Sequence, residues 1–196
     1  MNLPNKLTVL RMVLIPFAMF FYLATFIPHG IGKIVALAIF IVAALTDLLD
    51  GKIARKYNLV TNFGKFLDPI ADKLLTSAVL FMLMADGTIP APYGVIVVTI
   101  IIAIEFMVSA LRLMAASKGI VLAADIWGKA KTMVQMIAIP VCMLIPFLFE
   151  LGGVANWLII TVQIIGWSAL GVATLLTVIS GVNYLVKNKD CFKESK

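Results

Sequence analysis

Two pairs of aspartates dominate the chemistry this chain can do. Asp47 and Asp50 stand three residues apart and Asp68 and Asp72 stand four apart, so on helices each pair projects from one face. The stretch between the helices, residues 57–62, is short enough to make them antiparallel neighbours, which lets the four carboxylates converge. Four bare carboxylates in one place repel one another. Divalent cations resolve that conflict, and all-oxygen ligation suits Mg²⁺ or Mn²⁺. Two such ions about 3.5–4 Å apart would let one site hold both the attacking and the leaving oxygen of a phosphoryl transfer. The neighbours agree with that chemistry. Gly51, directly after Asp50, removes a side chain where a substrate can press against the helix. Arg55, a little over one turn beyond Asp50, offers its fork of donors to a phosphate. Gly64 opens the third helix, with Pro69 tolerated in its first turns. Ordinary surface ion pairing with Lys52, Arg55, Lys56, Lys65 and Lys73 is the bland alternative, and it is disfavoured because acids held at a membrane are kept for function.

The membrane follows from composition. Of 196 residues 62% are hydrophobic and 13% charged, and the mean hydropathy is +1.08. A soluble domain is about 45–50% apolar. The excess runs along the whole chain, so the fold class expected is an all-α integral membrane protein, one domain over 1–196, with a tail from about 187. Six spans are read at about Leu7–Ile27, Lys33–Lys56, Gly64–Ala85, Pro92–Ser117, Ile126–Phe149 and Asn156–Val186. The apolar run after Arg11 ends in Ile27, Pro28, His29 and Gly30 with no small-residue cleavage site, so it is expected to be retained. With turns alternating between the two faces, Lys33 is the only basic residue near one face. Every other Lys and Arg falls toward the second, which puts both termini and the aspartates at the cytoplasmic face of the cell membrane. Only thirteen residues separate Lys33 from Asp47 and twelve separate Lys73 from Asp86. Neither run spans a bilayer alone, so the second and third helices must carry their acids on their own cytoplasmic portions.

A second group of charges lies on the fourth and fifth helices. Glu105 falls near mid-membrane and needs a partner; Arg112, seven residues on and so on the same face, is the one expected. Arg112, Lys129 and Lys131, with Gln135 a turn deeper, form a cationic set suited to a phosphorylated acceptor. For Lys118, Lys187, Lys189, Lys193 and Lys196 the positive-inside bias is explanation enough. His29 reads as a solvated turn residue, and Cys142 and Cys191 have neither metal nor redox spacing. Trp127 and Trp157 sit where interfacial anchors would, and Gly166, Gly171 and Gly181 permit close helix approach along the last helix.

The order Asp-x2-Asp-Gly-x2-Ala-Arg-x8-Gly-x3-Asp-x3-Asp resembles the signature of the CDP-alcohol phosphatidyltransferases, with all eight fixed positions present from Asp47 to Asp72. The flanks, with Asn5, Thr8 and Arg11 before it, the run from Val60 to Leu75, and Gly128, Lys129, Lys131, Thr132 and Gln135 after it, are most similar to the branch that makes phosphatidylglycerophosphate. One position departs: that branch often carries Arg where Ile104 stands, which leaves one phosphate-side contact without its usual residue. The resemblance implies CDP-diacylglycerol as donor, sn-glycerol 3-phosphate as acceptor and two Mg²⁺ or Mn²⁺ ions held by Asp47, Asp50, Asp68 and Asp72, with Asp72 also the base. It implies a CDP-lipid pocket lined by Asn5, Thr8, Asp47, Gly51, Ala54, Arg55 and Gly64, an acceptor-phosphate pocket of Arg112, Lys129 and Lys131 supported by Glu105, and a homodimer. No nucleic-acid partner is expected. Inositol phosphate, serine or a second phospholipid are the alternative acceptors within the family. A membrane prenyltransferase is disfavoured by the Asp-Gly-x2-Ala-Arg core, and a cation transporter by the lack of any acid deep in the outer half of a span.

Overall fold

The computed structural model describes residues 2–27, 30–56, 61–117 and 126–188, the side chains of Leu3, 48–56, Asn62, Phe63, Lys65, Phe66, Ala116 and Ser117 excepted. Six helices follow one another: α1 (Leu3–Leu23), α2 (Ile31–Lys56), α3 (Asn62–Ala85), α4 (Tyr93–Ser117), α5 (Ile126–Leu151) and α6 (Asn156–Lys187). No strand occurs among the described residues. Five of the six start and end within two residues of the expected spans. α1 is displaced toward the N-terminus because Pro4 lies in its first turn, where a missing N–H costs nothing. Thr61 caps α3 by accepting from the Gly64 amide at 3.0 Å, which starts that helix two residues before Gly64. Pro69 therefore lies inside α3 and not in its first turn, and its ring denies one backbone bond to the turn before it.

The helices close into a ring. α1 packs on α2, α2 on α5, α5 on α6, α6 on α4, α4 on α3 and α3 back on α1, while α3 also touches α5 across the middle. Each helix turns a narrow stripe inward. On α1 the inward stripe is Ile15, Ala18 and Tyr22, all buried, whereas Leu10, Phe17 and Phe20 on the other side are half exposed. The buried core runs through Phe40, Leu75, Leu83, Ile101, Ile139 and Met143. So much outward apolar surface suits hydrocarbon and not water. α1, α4, α5 and α6 are each long and apolar enough to cross a membrane. α2 and α3 have the length, 26 and 24 residues, but carry the aspartates and their basic neighbours at one end, as their short uncharged runs require.

Close helix contacts depend on glycine at two places in α6. A Cβ on Gly166 would stand 2.9 Å from the Cys142 sulfur of α5, and one on Gly181 would stand 2.6 Å from Ile104 Cγ2 of α4. Cys142 is buried and free, within the core. Ile104 thus packs against the α6 backbone. His29, Lys118, Lys189, Cys191, Lys193 and Lys196 lie outside the described residues.

At the end of the bundle away from the aspartates, one carboxylate gathers four elements. Asp86, the residue closing α3, accepts from the Tyr22 hydroxyl of α1 at 2.5 Å, from Lys33 Nζ of α2 at 3.3 Å and from the Thr88 amide at 2.9 Å. Lys33 also lies over the Tyr22 ring, 3.9 Å from its centroid, and Trp167 of α6 donates to the Thr88 carbonyl at 2.9 Å. Lys33, the one Lys or Arg at this end of the bundle among the described residues, is therefore neutralised locally. Asp86→Ala orphans both the hydroxyl and the ammonium, so it is expected to lower stability by about 1–3 kcal/mol. Thermal unfolding in detergent checks this, with catalytic turnover expected to persist at temperatures where the variant is folded.

Candidate active site

The N-terminal turns of α1 present three buried polar side chains to α2 and α3: Asn5, Thr8 and Arg11. Arg11 is wholly buried, and its Nη1 lies 2.6 Å from Asp47 Oδ1. The Thr8 hydroxyl donates to Asp68 Oδ1 at 2.7 Å and stands 3.2 Å from the Pro4 carbonyl. The Thr61 hydroxyl, which caps α3, donates in turn to Asn5 Oδ1 at 3.0 Å. Gly64 completes this corner. A Cβ there would stand 2.8 Å from Asn5 Oδ1, so glycine leaves the Asn5 side chain room to reach Thr61. Asn5, Thr8 and Gly64, expected to line the CDP-lipid pocket, are thus engaged with one another and with Asp68 as the frame that sets the two aspartate helices.

Asp72 lies one turn further along α3 than Asp68 and is half-buried. Two cavities meet at it. One, of about 630 Å³, is apolar and runs between α2 and α5; Asp47 and Asp72 stand at its polar end, and Ile41, Leu45, Met133 and Ile137 along its length. Those four side chains are largely exposed on the bundle's outer surface. The other, of about 110 Å³, is polar and enclosed by α3, α4, α5 and α6. Its lining includes Asp72, Glu105, Arg112, Lys131 and Gln135. A single water needs a small fraction of that space, so this cavity admits a small polar molecule.

Within the polar cavity the expected partner of Glu105 is replaced. Glu105 pairs with Lys131 Nζ at 3.6 Å, and Arg112 instead lies over the Tyr184 ring, 5.5 Å from its centroid. The reason is distance: two residues seven apart are separated by about 10 Å along a helix, whereas Lys131 reaches Glu105 across the cavity. Lys129 is exposed at the start of α5 and does not line the cavity. The side chains of Asp50, Gly51, Ala54 and Arg55 lie outside the described residues, although their backbone continues α2.

Among the described residues no three metal-ligating side chains stand together. The donor chemistry nonetheless fits a divalent cation. Carboxylate oxygens of Asp47 and Asp72 reach one cavity from two helices, with Asp68 on the same helix as Asp72, and hard oxygen donors are what Mg²⁺ and Mn²⁺ take. Arg11 went unassigned in the sequence reading. A cation at position 11, followed by an unbroken apolar run, is the signal for it, since such a charge must find a buried partner.

The chain matches the family model for CDP-alcohol phosphatidyltransferase over residues 1–182. It belongs to that family of membrane transferases. Among its relatives it is 42% identical to the CDP-diacylglycerol–glycerol-3-phosphate 3-phosphatidyltransferase of Bacillus subtilis, covering 99% of this chain and 98% of the other. It is 38% identical to the protein of the same name in Rickettsia felis, over 97% of each chain. It is also 38% identical to a probable phosphatidylglycerophosphate synthase of Mycobacterium tuberculosis, over 95% of this chain and 81% of that one.

Arg11 is wholly buried but Asp47 keeps 35% of its side chain exposed, so removing the cation leaves a partly hydrated carboxylate and costs less than breaking a fully buried pair. Arg11→Met is therefore expected to destabilise the bundle by about 1–3 kcal/mol. Asp47→Leu added to Arg11→Met should restore part of the loss, because it removes the unmatched carboxylate. Chemical denaturation of the single and double variants in mixed micelles measures both, and additivity of the two changes would refute the pairing.

Proposed function

We propose that the chain transfers the phosphatidyl group of CDP-diacylglycerol to sn-glycerol 3-phosphate, giving phosphatidylglycerophosphate and CMP. The observation that carries this reading is the position of Asp72, where an apolar cavity between α2 and α5 meets a polar, cation-bearing cavity between α3, α4, α5 and α6. A lipid donor and a water-soluble phosphorylated acceptor need two such approaches to one reacting point. The relatives named for this reaction support the choice of donor and acceptor.

The acyl chains of the donor lie along Ile41, Leu45, Met133 and Ile137, with the diphosphate at the aspartates. Asp47, Asp50, Asp68 and Asp72 would hold divalent cations, two Mg²⁺ or Mn²⁺, whose chemistry is to neutralise the diphosphate and the charge that grows as CMP departs. Gly51 and Ala54 leave room beside the donor, and Arg55 contacts its phosphates. Arg11 holds Asp47 and Thr8 holds Asp68, so both carboxylates keep their orientation before substrate arrives. Arg112 and Lys131, with Lys129 at the mouth, take the acceptor phosphate, while Glu105 fixes Lys131. Asp72 receives the proton of the attacking hydroxyl. The hydroxyl oxygen bonds to the lipid-side phosphorus as the bond from that phosphorus to the bridging oxygen breaks, and CMP leaves.

All six helices cross the cell membrane in this reading, with both termini and the aspartates at the cytoplasmic face, and the protein acts as a homodimer. Lysine and arginine placement supports the orientation, as does the neutralisation of Lys33 by Asp86 at the opposite end.

The test is CMP release from CDP-diacylglycerol in detergent micelles with Mg²⁺, offering sn-glycerol 3-phosphate, inositol phosphate and serine in turn. Release is expected with sn-glycerol 3-phosphate alone. Asp72→Asn should cut turnover at least about a hundredfold while donor binding remains measurable. EDTA should stop the reaction and Mg²⁺ or Mn²⁺ restore it; turnover in excess chelator would end the metal-dependent account. Release with another acceptor would keep the reaction class and overturn the substrate.

A further inference from the structure

Among the groups in the polar cavity that the reaction outlined above does not use, an amide stands out. Gln135 sits on α5 one turn beyond Lys131, on the same face, and is 2% exposed. Its Nε2 is buried with no hydrogen-bond partner among the described residues. Buried amides in folded proteins are almost always satisfied, so an orphaned one in the wall of a polar cavity marks a contact completed by what the cavity receives. Four hydroxyls also line this cavity, and all but that of Ser180 are committed within their own helices. Thr76 donates to the carbonyls of Asp72 and Lys73, Ser109 to that of Glu105, and Thr132 to that of Gly128, each within its own helix. Lys131 is held by Glu105.

An acceptor of the glycerol phosphate type has three polar positions. Its phosphate is met by Arg112 and Lys131 and its attacking hydroxyl by Asp72, which leaves the hydroxyl on the middle carbon. A carboxamide both donates and accepts, as a hydroxyl does, whereas an ammonium only donates and a carboxylate only accepts. We propose that Gln135, the unpartnered amide in the cavity of Asp72, Arg112 and Lys131, binds the middle hydroxyl of the acceptor and so selects a polyol phosphate over an alkyl phosphate alcohol. This inference rests on the phosphatidyl-transfer reading. It adds that acceptor choice depends on a neutral side chain, beyond the cations that hold the phosphate.

A site built to hydrogen-bond a substrate hydroxyl rejects the analogue lacking it, because the buried group is then left unpaired. The probe is 3-hydroxypropyl phosphate, which keeps the phosphate and the attacking hydroxyl and lacks only the middle one. CMP release by the full-length protein in micelles, measured with each acceptor, gives kcat/KM for both. The unaltered chain is expected to prefer sn-glycerol 3-phosphate by about a hundredfold or more. Gln135→Met and Gln135→Leu should bring the two acceptors to within about threefold of each other. They should do so by losing activity on sn-glycerol 3-phosphate while turnover of 3-hydroxypropyl phosphate is retained, and that retained turnover also shows the variants to be folded. A preference that survives in either variant, or its absence from the unaltered chain, would overturn the proposal. Loss of both activities in both variants would overturn it too, since a reader of one hydroxyl is dispensable for an acceptor without it. Failure of the unaltered chain to release CMP with either acceptor would instead remove the phosphatidyl-transfer reading beneath it.

Discussion

A guanidinium with no access to solvent has to be answered by a carboxylate, and in this chain the answer fixes the architecture. Arg11 and Asp47 meet at 2.6 Å, at the level where α1 crosses α2. Because the cation is wholly buried, the pair tolerates little displacement, and everything that shares its helices inherits that placement. Thr8, one turn earlier on α1, holds Asp68 of α3, and Asn5 holds the Thr61 cap that starts α3. One helix with no acid of its own therefore orients carboxylates on two others. A cluster of like charges cannot be left to organise itself, since its members repel, so a rigid external frame is a physical requirement.

The same frame separates two kinds of access. α2 and α5 leave an apolar cavity along their seam, and α3, α4, α5 and α6 enclose a polar one. α3 and α5 touch across the centre of the ring, which is why Asp72 of α3 and Thr132 of α5 line both spaces. Two substrates of opposite solubility can then approach one carboxylate without sharing a path. The polar cavity is narrow, and its two cations come from different helices, Arg112 from α4 and Lys131, paired with Glu105, from α5.

Much of this was legible in the sequence because two strong signals agree. Length and hydropathy marked the helices to within a few residues, since in hydrocarbon a helix must satisfy its own backbone. The aspartate spacings put two pairs of carboxylates on adjacent helices, and α2 and α3 carry them. What was not legible were the relations across helices. No spacing shows that Asn5 and Thr8 engage Thr61 and Asp68; Glu105, expected to pair with Arg112 along its own helix, pairs with Lys131 of another. Intrahelical spacing is visible in one dimension, whereas the partner across a bundle depends on crossing and rotation that no local pattern encodes. Gln135 shows the same limit, as its lack of a partner appears only once its neighbours are in place.

α1 is fastened to its neighbours at both ends, by Arg11 at one and by Tyr22 at the other. The two anchors are eleven residues apart, which is close to three full turns and so keeps them on one face. That makes the helix a phase-locked strut. Adding or removing a single residue between the anchors would rotate one of them by about 100° away from its partner, whereas a whole turn preserves the angle and changes only the height. A chain built this way cannot follow a thicker or thinner bilayer by trimming α1 residue by residue. It must tilt as a body, or let the lipid deform around it, so the thickness of the membrane acts on the inclination of the whole ring and leaves the internal geometry of the carboxylates unchanged.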